Sequence, residues 1–168
     1  LFGVHIRPWH YATWDKLVEP YEIVENGKVI GRFILDSHPR PGKYEHANAV
    51  PLGIGVGDRL PIAALVMNLP AGGHKTGLME HGDVETFLHE YGHLLHYIFG
   101  GQNQRWAGIS GAATEWDFVE APWQMLKNWV YDYDTLRRFA VDADGKSIPK
   151  ELVDQMNRDI ERAREILD

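Results

Sequence analysis

Between Asp83 and Phe99 the apolar residues return every three or four positions: Val84, Phe87, Leu88, Tyr91, Leu94, Leu95 and Ile98. At about 100° per residue these all fall on one side of a helix, so this segment must bury that side against something else. Asp83 is a suitable N-cap, because a short side-chain oxygen can accept from the unpaired amides of the first turn. Gly100-Gly101 supplies the stop. The stretch reads "FLHEYGHLLHYIFGG", and its polar residues occupy a different arc. His89 and His93 sit four apart, on neighbouring turns of one face, where two imidazoles can converge on one ion. Glu90 is one step round from His89, so it does not compete for that ion, yet it can reach a water held there. The same helix can thus bury one flank and offer a metal site on another.

The chain has no cysteine, which leaves His, Asp and Glu as the available metal ligands. Zinc in a catalytic site takes three protein ligands and keeps one position for water, so a third ligand is required. One known arrangement continues with Gly three residues after the second His and another His three further on. Those places here hold His96 and Phe99, and that arrangement fails. Another takes a glutamate from a following helix, and "WDFVEAPWQ" (116–124) supplies Glu120. The Gly-, Ala- and Ser-rich residues 100–113 allow the reversal that would lay this helix against the first. The competing reading makes His89 and His93 core histidines bonded to backbone, with Glu90 a solvated charge. Burying all three would need a partner for each.

Glu85, four residues before His89, and Asp117, three before Glu120, are candidates to orient ligands from behind, or plain surface carboxylates. His96 is expected to line the cleft or pack, since a fourth protein ligand would close the open position. His74 and His81 read as loop histidines. Gly92 weakens a helix, which makes sense if another backbone passes close by.

"YEIVENGKVIGRFILD" (21–36) reads as a β-hairpin turning at Asn26-Gly27. Residues 37–46 are loop, 61–69 an apolar run of strand length, and 70–77 a flexible connection. A second helix covers 115–130. Either Thr114 caps it and Pro122 bends it, or it begins at Pro122. Residues 147–168 form an amphipathic helix with the apolar stripe Leu152, Met156, Ile160, Ala163 and Leu167. "DADGKS" (142–147) is a surface turn. The expected class is α+β. At 168 residues the chain is expected to be a single domain. A net charge of −7 with no basic patch beyond Arg137-Arg138 argues against a nucleic-acid surface. No window reaches a membrane-spanning length. The lack of cysteine suits a reducing compartment, and the expectation is a cytoplasmic protein. A chain opening on Leu1-Phe2 is expected to be a fragment or processed product.

Taken together, "HEYGHLLH" and "ISGAATEWDFVEAPWQMLKNWV" resemble the thimet oligopeptidase family of zinc metallopeptidases, which includes neurolysin, oligopeptidase A and the bacterial dipeptidyl carboxypeptidases. "LFGV", "GRFILDSHPRPGKYEHA" (31–47), "IAALVMN" and "HGDVETFLHE" are similar to corresponding stretches in the same order, and the likeness weakens after about residue 148. The resemblance implies one zinc ion bound by His89, His93 and Glu120, with Glu90 activating the water. It implies hydrolysis of short, unstructured peptides, as an endopeptidase or a carboxydipeptidase. It also implies a mainly helical, zincin-like core with a small antiparallel sheet, formed by the hairpin and an edge strand. Strand 61–69 would be that edge, bordering the cleft and pairing with substrate. Two departures stand out. Trp123 occupies the place where the family has Ser, and is expected to alter the packing behind Glu120. Family members are several times longer and carry a later segment whose His and Tyr residues bind the substrate carbonyl. Nothing in 149–168 matches it, and Tyr131 and Tyr133 are the nearest tyrosines. Residues 1–168 are therefore expected to be the catalytic core of a longer family domain, either active or metal-binding with little turnover. Self-association through faces exposed by truncation is a further expectation.

Overall fold

The central element of the computed structural model, which describes residues 2–72 and 75–167, is a five-stranded sheet. Its strands are β1 (Val4–Pro8), β2 (Glu19–Glu25), β3 (Lys28–Asp36), β4 (Asn48–Gly53) and β5 (Ile62–Val66), in the order β1-β2-β3-β5-β4. The β2–β3 hairpin turns where expected. Asn26 and Gly27 both have positive φ, 48° and 79°, as a right-twisted two-residue turn requires. Side chains alternate along the strands. Phe33, Ala63 and Leu65 face the main core, while Ile34 and Ala64 pack on the opposite side with Val18.

The sheet corrects three expectations. It is mixed, not antiparallel, because β3 and β5 run parallel. It is also larger than a hairpin and one strand, since β1 pairs with β2 and β4 pairs with β5. The strand expected at the edge, β5, lies inside the sheet between β3 and β4. Its continuous apolar run is what burial on both faces demands. The edge beside the long helix is β4.

Helix α1 (His81–Gly100) lies across one face, with Leu94, Leu95, Tyr97 and Ile98 buried in the main core. It starts earlier than expected. Asp83 is not the N-cap but stands in the first turn, and its Oδ2 accepts from the Glu80 amide at 2.9 Å. His81 accordingly begins the helix, its ring 5.1 Å from that of Tyr131. His74 lies outside the described residues. The second helical segment is divided into α2 (Trp116–Val119), α3 (Ala121–Lys127) and a 3-10 turn, Asn128–Tyr131. Glu115 stands at the N-cap place expected for Thr114, and the break falls at Glu120. Pro122 has no amide hydrogen to continue the ladder from α2, so the axis restarts there. A short α4 (Tyr133–Leu136) and α5 (Lys150–Leu167) complete the chain, with the 142–147 turn between them as expected.

The stripe assigned to α5 is shifted. Val153 is its buried anchor, 1% exposed against Val130 and Leu136, while Leu152 is 48% exposed. Leu152 and Met156 instead line an open apolar groove with Leu136 and Phe139.

At the end of β3, Asp36 accepts from Arg40 at 2.6 and 2.8 Å and from the Trp14 indole at 3.0 Å. Lys43 Nζ lies 2.9 Å from the same carboxylate and also donates to the carbonyls of His38 and Met67. Burial pushes the Asp36 carboxyl up, but these donors outweigh it and hold the group well below the usual carboxylate range. The network pins the loop that delivers β4 to the edge of the sheet.

Candidate metal centre

The four-residue spacing on α1 brings the His89 and His93 Nε2 atoms to 3.2 Å from each other. Glu120 comes from the junction between α2 and α3, and its Oε2 lies 3.7 Å from His89 Nε2. One ligand atom from each of the three residues lies within 4.8 Å of the others. Ligands held at 2.0–2.1 Å around a tetrahedral ion stand about 3.3 Å apart, so this donor set fits zinc with only a small movement of the carboxylate. Two imidazoles and a carboxylate with no thiolate are also the chemistry of a catalytic site, not of a structural one.

The local sequence explains the arrangement. Gly92 is buried on α1 facing α3, and a Cβ placed there would stand 2.3 Å from Trp123 Cβ. Its absence lets the two helices approach closely, as the helix-weakening glycine suggested, although it meets a side chain as well as backbone. Trp123 is fully buried, and its indole stacks on the His93 ring with centroids 3.5 Å apart. Its Nε1–H donates to Glu120 Oε2 at 2.5 Å. Sequence reasoning expected Trp123 to alter the packing behind Glu120. It does pack there, but it also bonds the carboxylate directly, which sequence spacing alone had not revealed. An indole three residues after a candidate carboxylate, one helical turn away, was the available signal.

Burial pushes the Glu90 carboxyl above its ordinary value and the nearby Glu120 adds to this, while His89 and the Ala49 amide of β4 pull it back. A half-buried carboxylate with a raised pKa is a stronger base than a free one. Burial, then the neighbouring His89, hold His93 below the usual histidine range, with Glu120 opposing and His96 adding slightly. That favours the neutral imidazole, the form able to bind a metal.

The remaining candidates are spread around this cluster. His96 sits one turn beyond His93, with its ring 6.2 Å from the Trp123 ring, and stands outside the triplet. Burial lowers its pKa, and its Nδ1 is buried without a hydrogen-bond partner among the described residues. Glu85 Oε2 lies 3.7 Å from Lys127 Nζ on α3, tying the two helices together. Asp117 is exposed.

Comparison with known proteins gives a consistent result. The pattern described as "Peptidase family M3" matches residues 1–167. The chain is 32% identical over 159 residues to a thimet-like oligopeptidase of Dictyostelium discoideum, covering 89% of this chain and 23% of that one. It is 34% identical over 167 residues to the chloroplastic/mitochondrial organellar oligopeptidase A of Arabidopsis thaliana, covering 90% and 21%. It is 33% identical over 154 residues to oligopeptidase A of Escherichia coli (strain K12), covering 86% and 22%. The chain therefore spans less than a quarter of the length of these relatives.

Proposed function

We propose, from the premise that the chain belongs to peptidase family M3, a family of zinc metallopeptidases, that it hydrolyses peptide bonds in short oligopeptides. His89, His93 and Glu120 hold one zinc ion in this reading. When bound, zinc lowers the pKa of water toward about 7 and polarises the scissile carbonyl. Glu90 takes the proton from the attacking water and passes it to the leaving amine. Its raised pKa suits both transfers. An extended peptide adds along the free edge of β4, which brings its backbone beside Ala49 and Glu90. The class covers both metalloendopeptidases and peptidyl-dipeptidases. A cytoplasmic setting, which the cysteine-free composition suits, belongs to the same reading.

The observation that carries this reading is the convergence of three donors, two from α1 and one from the α2–α3 junction, on one point, with Glu90 adjacent on α1. Glu90→Gln tests it. The variant retains zinc by metal analysis after dialysis and loses hydrolysis of a fluorogenic peptide by about a hundredfold or more. Cleavage at the wild-type rate rules out Glu90 as base.

A second reading has a specific observation in its favour, the coverage of only 21–23% of the relatives' length. In it the chain is a metal-binding core with little turnover alone. Zinc bound one to one without chelator-sensitive peptide cleavage identifies this case.

A further inference from the structure

We infer that Trp123 is a positioning residue for the metal, holding the His93 ring and the Glu120 carboxylate in register through the face and the N–H rim of one indole. This rests on the proposed zinc site.

The need for such a group is visible in the ligands themselves. Glu120 stands at a break between two short helices, and its side chain is 58% exposed. A carboxylate in that position is free to rotate into solvent, and a metal that binds it must first arrest that motion. Trp123 Nε1–H holds one oxygen, Oε2, at 2.5 Å, and sits one turn further along the same segment. The histidines present a second need. Metal-bound imidazoles are ordinarily oriented by a hydrogen bond to the nitrogen that does not bind the metal. Among the described residues, no protein group makes such a bond to His89 or His93; their one contact within hydrogen-bond distance is between the two Nε2 atoms. The indole face supplies the orientation instead. It lies on the His93 ring at 3.5 Å with an interplanar angle of 28° and meets the His89 ring edge-on at 5.8 Å.

The surroundings are shaped for this contact. Trp123 is fully buried, so its own position is determined by packing. Gly92, on α1 one residue before His93, removes the one side chain that would push Trp123 away. A glycine inside a helix weakens it relative to alanine, so this close approach comes at the expense of local helix stability. Any smaller side chain at 123 would leave a void against Gly92 and release both ligands together. The indole is the one natural side chain that combines a broad flat face with a single N–H donor at its rim.

The test separates the face from the donor. Trp123→Phe keeps an aromatic ring under His93 and removes the N–H. Zinc affinity is measured by competition with a chromophoric chelator for wild type, Trp123→Phe and His93→Ala, alongside the melting temperature of each metal-free chain. The expected result is about a tenfold or greater loss of affinity in Trp123→Phe, read at a temperature where every metal-free chain is still folded because the smaller ring lowers the melting temperature, and no stoichiometric binding by His93→Ala. Cobalt(II) substitution gives a second readout, a d–d spectrum that changes between wild type and Trp123→Phe. Equal zinc affinity and an unchanged cobalt spectrum overturn the inference while leaving the zinc site intact. Absence of zinc binding by the wild type overturns the site itself. Should Trp123→Phe fail to fold, the wild type answers through its indole N–H resonance, assigned by its contacts to the His93 ring. A shift on adding one equivalent of zinc supports the inference, and an unmoved resonance overturns it.

Discussion

Glu120 shows how one residue's usefulness depends on its neighbours along a helical face. It lies one turn before Trp123, on the side of the segment that meets α1. At the junction it turns toward α1 and comes within 3.7 Å of His89. Asp36 makes a comparable point away from the site. It is buried, yet it stays ionised because Arg40, Lys43 and Trp14 all donate to it. Its folded pKa lies below the unfolded value of about 3.9, so the stability it contributes is fully present above that pH and fades as pH falls toward the folded value. Asp36→Asn is therefore expected to lower stability by about 3 kcal/mol at pH 7. The gap to wild type is expected to narrow below about pH 4, where the wild-type advantage titrates away. Denaturant titrations of both chains between pH 3 and 7 check this, and a gap that stays constant with pH contradicts the assignment.

Among the elements, α1 was the most legible, because its period runs over four turns and its apolar and histidine arcs are separate. Its start was misjudged by a few residues, since Asp83 can serve as either cap or first-turn acceptor and spacing does not distinguish them. The opposite happened in α5. Its period was correctly read as helical, but the face was displaced by one position: Val153, not Leu152, meets the core. An amphipathic helix with few contacts has a broad apolar arc, and the partner decides which edge of that arc is buried. Val153→Ala is expected to cost about 2 kcal/mol, through lost burial and the cavity left behind. Leu152→Ser is expected to stay within about 0.5 kcal/mol. Chemical unfolding of the two variants gives the comparison, and equal losses would mean that both faces pack.

At the scale of the whole molecule, the sheet carries α1, α1 carries two of the proposed ligands, and α3 packs on α1 to bring the third. A metal held by these three residues would therefore be linked to the fold. A ligand that binds only the native state at about a hundred times its Kd stabilises by about 2.7 kcal/mol. For a chain of this size, removing zinc with a chelator is expected to lower the melting temperature by about 5–10 °C, with recovery on readdition. A melting curve insensitive to chelator argues against a native-state metal.

The α1 helix and its histidine pair, the hairpin at Asn26-Gly27, the candidate Glu120 and the family were all legible from residue order, because each depends on spacing within a few residues or on order along the chain. The strand order, the interior position of β5, the exposed edge at β4 and the seat of Trp123 between His93 and Glu120 emerge in the folded chain alone. Local periodicity reports which face of an element is apolar. It carries no information about which neighbour covers that face, and that choice is made by packing between residues far apart in the chain.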